Sequence, residues 1–171
     1  LANIIDEESG TGGAACNVAI DLSRFEMGLE ISGVGLVGKD ADGERIFSDC
    51  RAAGIDTRFL LGIEEAPTAY TDVMTVRDSG RRTFFHNRGA NALLGPEHYP
   101  LDELQCRILT LGYLLLLDGM DHEDPEYGTR AARVLAGCRE RGILTAVDVV
   151  SEDSDRFSKV VTPALPHIDY L

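Results

Sequence analysis

Three stretches decide the fold: RILTLGYLLLL (Arg107–Leu117), PEYGTRAARVLAGCRER (Pro125–Arg141) and ILTAVDVV (Ile143–Val150). The first and third are short apolar runs, and the middle one has helical period, opened by Pro125 and closed by Gly142. Two apolar strands joined through a helix by short connections read as parallel neighbours with a crossover helix. Such sheets need both faces covered. The expectation is an α/β fold built on a doubly wound, mostly parallel sheet. The apolar run near Leu109–Leu117 is interrupted by Thr110 and Gly112 and falls short of the roughly 20 residues of a membrane span, so it reads as a buried strand.

The same alternation extends upstream. A helix is expected after Gly13, with Val18, Ala19, Leu22 and Phe25 on one face and an end near Gly28. A strand follows over Ile31–Val37. Asp40-Ala-Asp-Gly43 then turns into a helix with an apolar stripe of Ile46, Phe47, Cys50 and Ala53, capped by Gly54. Ala69–Val76 and Arg82–Asn87 are β-rich runs joined by Arg77-Asp-Ser-Gly-Arg81, which reads as a hairpin spanning residues 68–90. Such an inserted hairpin either covers a site as a lid or extends the sheet edge. Downstream, His167–Leu171 looks like the opening of a further strand. No repeat or low-complexity linker interrupts residues 1–171, so one domain, incomplete at its C-terminal side, is expected.

Composition narrows the function classes. With 44% hydrophobic and 26% charged residues, the 171-residue chain has the make-up of a soluble globular domain. A net charge of −13 disfavours broad attachment to nucleic acid or to an anionic membrane, so phosphate groups must be bound locally. The chain begins with Leu1, and its first residues carry no secretory-signal pattern. Cys16, Cys50, Cys106 and Cys138 are widely spaced and read as buried thiols of a reducing, cytoplasmic compartment. His86, His98, His122 and His167 have no zinc-ligand spacing. The acidic loop of Asp118, Asp121, His122, Glu123, Asp124 and Glu126 lies where a helix N-terminus favours negative charge, which accounts for it without a metal.

Two nucleotide-binding patterns overlap in Gly33-Val-Gly-Leu-Val-Gly38-Lys39-Asp40. Read as G-x-G-x-x-G, the glycines lie inside the apolar strand rather than at a turn opening a helix. Read as a P-loop, Asp40 stands where a Ser or Thr hydroxyl is required. Small residues in a packed strand explain the stretch better. Thr11-Gly-Gly-Ala-Ala-Cys-Asn17-Val-Ala19 is different in kind. Two glycines at a loop-to-helix junction let a ligand approach the backbone, the first helical amides are free to donate, and Asn17 adds a donor and an acceptor one turn in. A flexible, solvated helix start is the competing account.

Residues Gly12–Ala19 resemble the first signature of PfkB family, ribokinase-like carbohydrate kinases, in which a Gly-Gly pair precedes an Asn and a small residue. Val34–Gly43 is similar to the family's segment ending in Gly-x-Asp-x-x-Gly, and Ala53-Gly-Ile-Asp-Thr57 to its Gly-Val-Asp-Thr. Asp72-Val-Met-Thr75, the arginine-bearing turn and Gly89-Ala-Asn91 are similar to the family's lid strands and the segment after them. Order and spacing from Thr11 to the last residue carry the resemblance. It departs locally at Glu26, where the signature has Gly or Ser; Gly28 keeps the expected spacing to Gly38, which implies two added residues in the preceding loop. No strand bearing the family's sugar-binding Asp is recognisable before Gly12. The later Gly-Ala-Gly-Asp segment, which in the family holds the catalytic base and an anion hole, is absent.

The resemblance implies ATP-dependent phosphorylation of a sugar hydroxyl, with Mg2+ neutralising phosphate charge and this segment supplying the sugar-binding half. Gly12, Gly13 and Asn17 are then the sugar-binding residues. His86 and Arg88 are further candidates for substrate contact, because strand alternation puts them on one face of the second hairpin strand. Asp148 resembles the family's Asp at a strand's carboxyl end, where open α/β sheets place ligands, and a helix-capping role stands beside that reading. The base is expected beyond Leu171, and a homodimer through the lid is expected. Arg77, Arg81 and Arg82 read as a surface turn, with recognition of an acidic sugar as the other option. A non-catalytic sugar-binding relative and a nucleoside kinase of the same fold remain alternatives; with 6% aromatic residues and no Trp, base stacking is the less favoured.

Overall fold

A computed structural model describes residues 3–171. Residues 3–12 are irregular, and the ordered elements begin with α1 (Ala14–Arg24), β1 (Ser32–Gly38), α2 (Ala41–Ala52) and β2 (Asp56–Ile63). The hairpin strands β3 (Tyr70–Thr75) and β4 (Arg82–Asn87) come next, then 3-10 turns at Gly89–Leu93 and Pro96–His98. The remainder comprises β5 (Ile108–Leu114), α3 (Asp118–Asp121), β6 (Glu123–Asp124), β7 (Gly128–Thr129), α4 (Arg130–Glu140), β8 (Leu144–Val149) and α5 (Arg156–Ala164).

The α/β architecture with parallel pairing is as the sequence implies. β1 pairs in parallel with β2, and β5 with β8 across the α4 crossover. Among the described residues these are two separate ladders. α1 lies against both β1 and β5, and the turn at Gly89–Leu93 packs on β1 and α3. One core runs through the whole: Leu36 of β1, Leu111 and Leu114 of β5, Val147 of β8 and the inward face of α4 are all buried in it. Tyr170 adds a parallel bridge to Ala146, the strand opening expected near the end of the chain.

Local caps explain most element boundaries. Asp40 caps α2 by accepting from Gly43 N at 2.8 Å, and Gly54 follows the helix at φ 72°. The helix expected from Pro125 begins instead at Arg130. Pro125 sits in the tight turn between β6 and β7, and Thr129 is the true cap, its hydroxyl accepting from Ala132 N at 3.2 Å. Asp124 holds that turn together. Its carboxylate accepts from Glu126 N and Tyr127 N at 3.0 and 2.9 Å and from Arg133 Nε at 2.6 Å. The Arg133 guanidinium draws its pKa down to about 2. β2 is an element the sequence reading passed over, as is α5, which accommodates Pro163 near its end.

Burial departs from expectation in two places. The apolar face of α1 is uncovered, with Val18, Leu22 and Phe25 exposed. Cys106 is an exposed thiol, whereas Cys50 and Cys138 are buried. Besides these, every residue of β3 and β4 is exposed, including Tyr70, Val73, Met74, Phe84 and Phe85.

Candidate functional site

Gly112 of β5 lies between the start of α1 and Asp148. A Cβ placed on it would lie 3.4 Å from both the Ala14 and the Asp148 Cβ atoms. The start of α1 therefore sits over the carboxyl ends of β5 and β8, beside Asp148, the end at which open α/β sheets bind ligands. Sequence reasoning named Gly12, Gly13, Asn17 and Asp148 but had no signal for Gly112, which lies between the start of α1 and Asp148.

The α1 start is built for access. Gly13 takes φ 86° as the residue before the helix, a conformation that side chains resist, and open space surrounds the positions a Cβ would occupy on Gly12 and Gly13. Asn17 N closes the first helical bond on Gly13 O at 2.9 Å, so the amides of residues 14–16 precede the ladder and have no helical acceptor. The Asn17 side chain is exposed and makes no hydrogen bond to the protein among the described residues. Its neighbour Cys16 is a poor nucleophile, because burial pushes its thiol up to about 11. Asp148 is exposed and folds back only onto Val149 N at 2.8 Å.

The hairpin candidates part company. Strand β4 ends at Asn87, and Arg88 turns into the helical region at φ −70°, so the alternation that would put His86 and Arg88 on one strand face stops between them. His86 meets the Thr71 hydroxyl at 2.9 Å and stacks on Phe84, whose ring also lies under the Arg82 guanidinium. Arg88 instead donates to Leu115 O and pairs with Asp118 Oδ1, both at 3.1 Å, just beyond the carboxyl end of β5. Nearby, Asp121 accepts from Leu115 N at 3.1 Å, while its other oxygen lacks a hydrogen-bond partner and lies 3.6 Å from Arg156. Burial raises the Asp121 pKa against these favourable partners. Asp118 and Asp121 thus serve Arg88, Arg156 and the β5 turn, a role the sequence reading missed.

The Gly33–Asp40 stretch does not fit a nucleotide. Its amides are already spent: Gly38 N donates to the Thr68 hydroxyl at 2.9 Å and Lys39 N to Ile63 O at 2.8 Å. The Asp40 carboxylate is occupied by Gly43 N, Thr68 N and the Thr68 hydroxyl. No phosphate cradle remains there. A surface cleft lined by Leu101, Leu104, Arg107 and Ile143 lies at the amino ends of β5 and β8, the opposite end from Asp148.

A glycine-led helix start facing an aspartate across two parallel strand ends is the geometry against which relatives can be weighed. Residues 4–171 match the model of the pfkB family carbohydrate kinases. The chain belongs to the pfkB family. An ATP-dependent ribose-1-phosphate kinase of Halopiger xanaduensis is 33% identical over 106 residues, 62% of this chain and 34% of that one. The structure of a fructokinase from Xylella fastidiosa superposes with a TM-score of 0.74 at 21% identity, covering 92% of this chain and 50% of that one. Adenosine kinase from Sinorhizobium meliloti gives a TM-score of 0.62 at 25% identity, covering 81% and 40%. The chain spans a third to a half of the length of these relatives. Among the described residues, no helix of this pfkB-family chain is long and apolar enough to cross a membrane.

Proposed function

We propose that the protein to which this chain belongs phosphorylates a sugar hydroxyl with ATP and Mg2+, and that this segment holds the sugar. The observation that carries the reading is that Ala14, in the first turn of the helix led by Gly12 and Gly13, and Asp148 both lie beside Gly112. Free helical amides and the Asn17 side chain can exchange hydrogen bonds with sugar hydroxyls, and Asp148 can accept one. ATP would supply the γ-phosphoryl group; this chain's own contribution is to bind and orient the acceptor, on which phosphoryl transfer depends. In this reading the hairpin of residues 68–90 is a lid that excludes water, His86 faces substrate from it, and Arg88 steadies its foot. A base and anion hole are assigned to sequence beyond Leu171, and a cytoplasmic location goes with the same reading.

Asn17→Ala tests the sugar site in the full-length protein. Losing one neutral hydrogen bond costs about 0.5–1.5 kcal/mol, a fewfold to roughly tenfold loss in affinity. Calorimetric titration with D-ribose, D-fructose and ribose 1-phosphate, alongside thermal unfolding, checks this. An unchanged affinity with a lowered Tm would make Asn17 a brace of the loop. Adding adenosine to the panel weighs the nucleoside reading, which the adenosine kinase likeness and the stacked Phe84–His86 rings favour.

The hairpin is further assigned to a homodimer. Its exposed Val73, Phe84 and Phe85 belong to a two-stranded ribbon, which is marginal in water until a partner covers it. Light scattering is expected to give twice the chain mass, and a monomer would remove the lid from this role.

A further inference from the structure

We propose that Asp40 is a positioning residue whose carboxylate seats the β3–β4 hairpin on the body of the protein. The inference rests on the reading of the hairpin as a lid over a sugar. None of the six residues in either hairpin strand is buried, so the strands have no buried anchor of their own on the body of the protein. What anchors them lies at the two feet, residues 67–68 before β3 and 88–90 after β4.

Both feet meet at one place. Asp40 Oδ2 accepts from Thr68 N at 2.8 Å, and Oδ1 accepts from the Thr68 hydroxyl at 2.6 Å and from Gly43 N at 2.8 Å. With its one proton given to Asp40, the hydroxyl accepts from Gly38 N at 2.9 Å. Thr68 is buried, so these bonds are shielded from water. The second foot closes on the first: Ala90, fully buried, donates to Pro67 O at 2.8 Å. A Cβ on Gly89 would stand 2.3 Å from that same oxygen. Arg88 then ties the second foot to Leu115 O and Asp118 at the carboxyl end of β5.

Asp40 therefore does two jobs with one carboxylate, capping α2 and clamping Thr68. They can be separated. Asp40→Ser keeps a good helix cap but is too short to hold Thr68 by two bonds. Thr68→Val removes the hydroxyl at nearly constant shape, and Thr68→Ser retains it.

The experiment uses the full-length protein in two arms. Hydrogen exchange without ligand is expected to show the Thr68 and Ala90 amides exchanging at least about tenfold faster in Asp40→Ser and Thr68→Val, with α2 amides unchanged and Thr68→Ser like the parent. Kinetics, with whichever of D-ribose, D-fructose or ribose 1-phosphate the parent phosphorylates, should show the sugar KM raised about tenfold in the first two variants and kcat within about twofold. Parent-like exchange at Thr68 and Ala90, or equal loosening of α2, would overturn the assignment by reducing Asp40 to a helix cap. So would loosened feet with an unchanged KM. A parent that phosphorylates none of the three sugars, with the exchange result intact, would count against the lid reading and leave the seat itself demonstrated.

Discussion

Gly43→Ala is expected to destabilise the protein by about 2–4 kcal/mol, although alanine is the better helix former by up to roughly 1 kcal/mol. Gly43 lies in the first turn of α2, and a Cβ there would stand 2.1 Å from Gly38 O and 3.1 Å from the Thr68 hydroxyl. The nearer atom is backbone carbonyl at the end of β1, which cannot swing aside like the end of a side chain. The start of α2 must lift from β1, and the Gly43 N bond to Asp40 goes with it. The clash therefore outweighs the propensity gain. Gly35→Ala is the control: its nearest neighbour is the Leu60 Cδ1 methyl at 3.4 Å, and a change within about 1 kcal/mol is expected. Urea unfolding of both variants checks the pair, and similar midpoints would show that the β1–α2 junction yields more easily than this packing implies.

The second large effect is Leu135→Ala, expected to cost about 2–5 kcal/mol. Leu135 is fully buried on the inward face of α4, in the cluster that joins Leu111, Leu114 and Val147 to the helix. Truncation removes apolar contact on the element that carries the β5–β8 crossover, and the close-packed surroundings cannot collapse to refill the space. For a chain of this size the Tm should fall by roughly 5–15 °C. Leu165→Ala, at a residue 45% exposed, should move it by only a degree or two, about 0.5 kcal/mol. Equal shifts for the two variants would place the core elsewhere.

The contrast between legible and illegible elements follows from what each depends on. α2 was readable because Asp40 and Gly54 bracket it, and a cap acts through atoms a few residues away. The hairpin was readable from Arg77-Asp-Ser-Gly-Arg81 between two β-rich runs, and the βαβ unit from its two apolar strands. β2 was missed because Arg58 stands exposed amid Thr57–Ile63 and pairs with Asp56, breaking the pattern of a buried strand. The start of α4 was misplaced because proline suits both a helix's first position and a tight turn. Asp124, through Arg133 nine residues away, selects the turn. At Arg88 strand alternation failed because the chain leaves the β region there to reach Leu115, 27 residues distant.

By itself the sequence determined the alternation of strands and helices, the glycine-led start of α1 and the family resemblance, because periodicity, caps and turns act within a few residues along the chain. Only the tertiary structure decided that Ala14, Gly112 and Asp148 meet at one end of two parallel strands, and that Thr68 rests on Asp40 across 28 residues of sequence. Those meetings depend on strand order, register and the path of the crossovers, and a local pattern constrains them weakly because many chain paths satisfy it equally well.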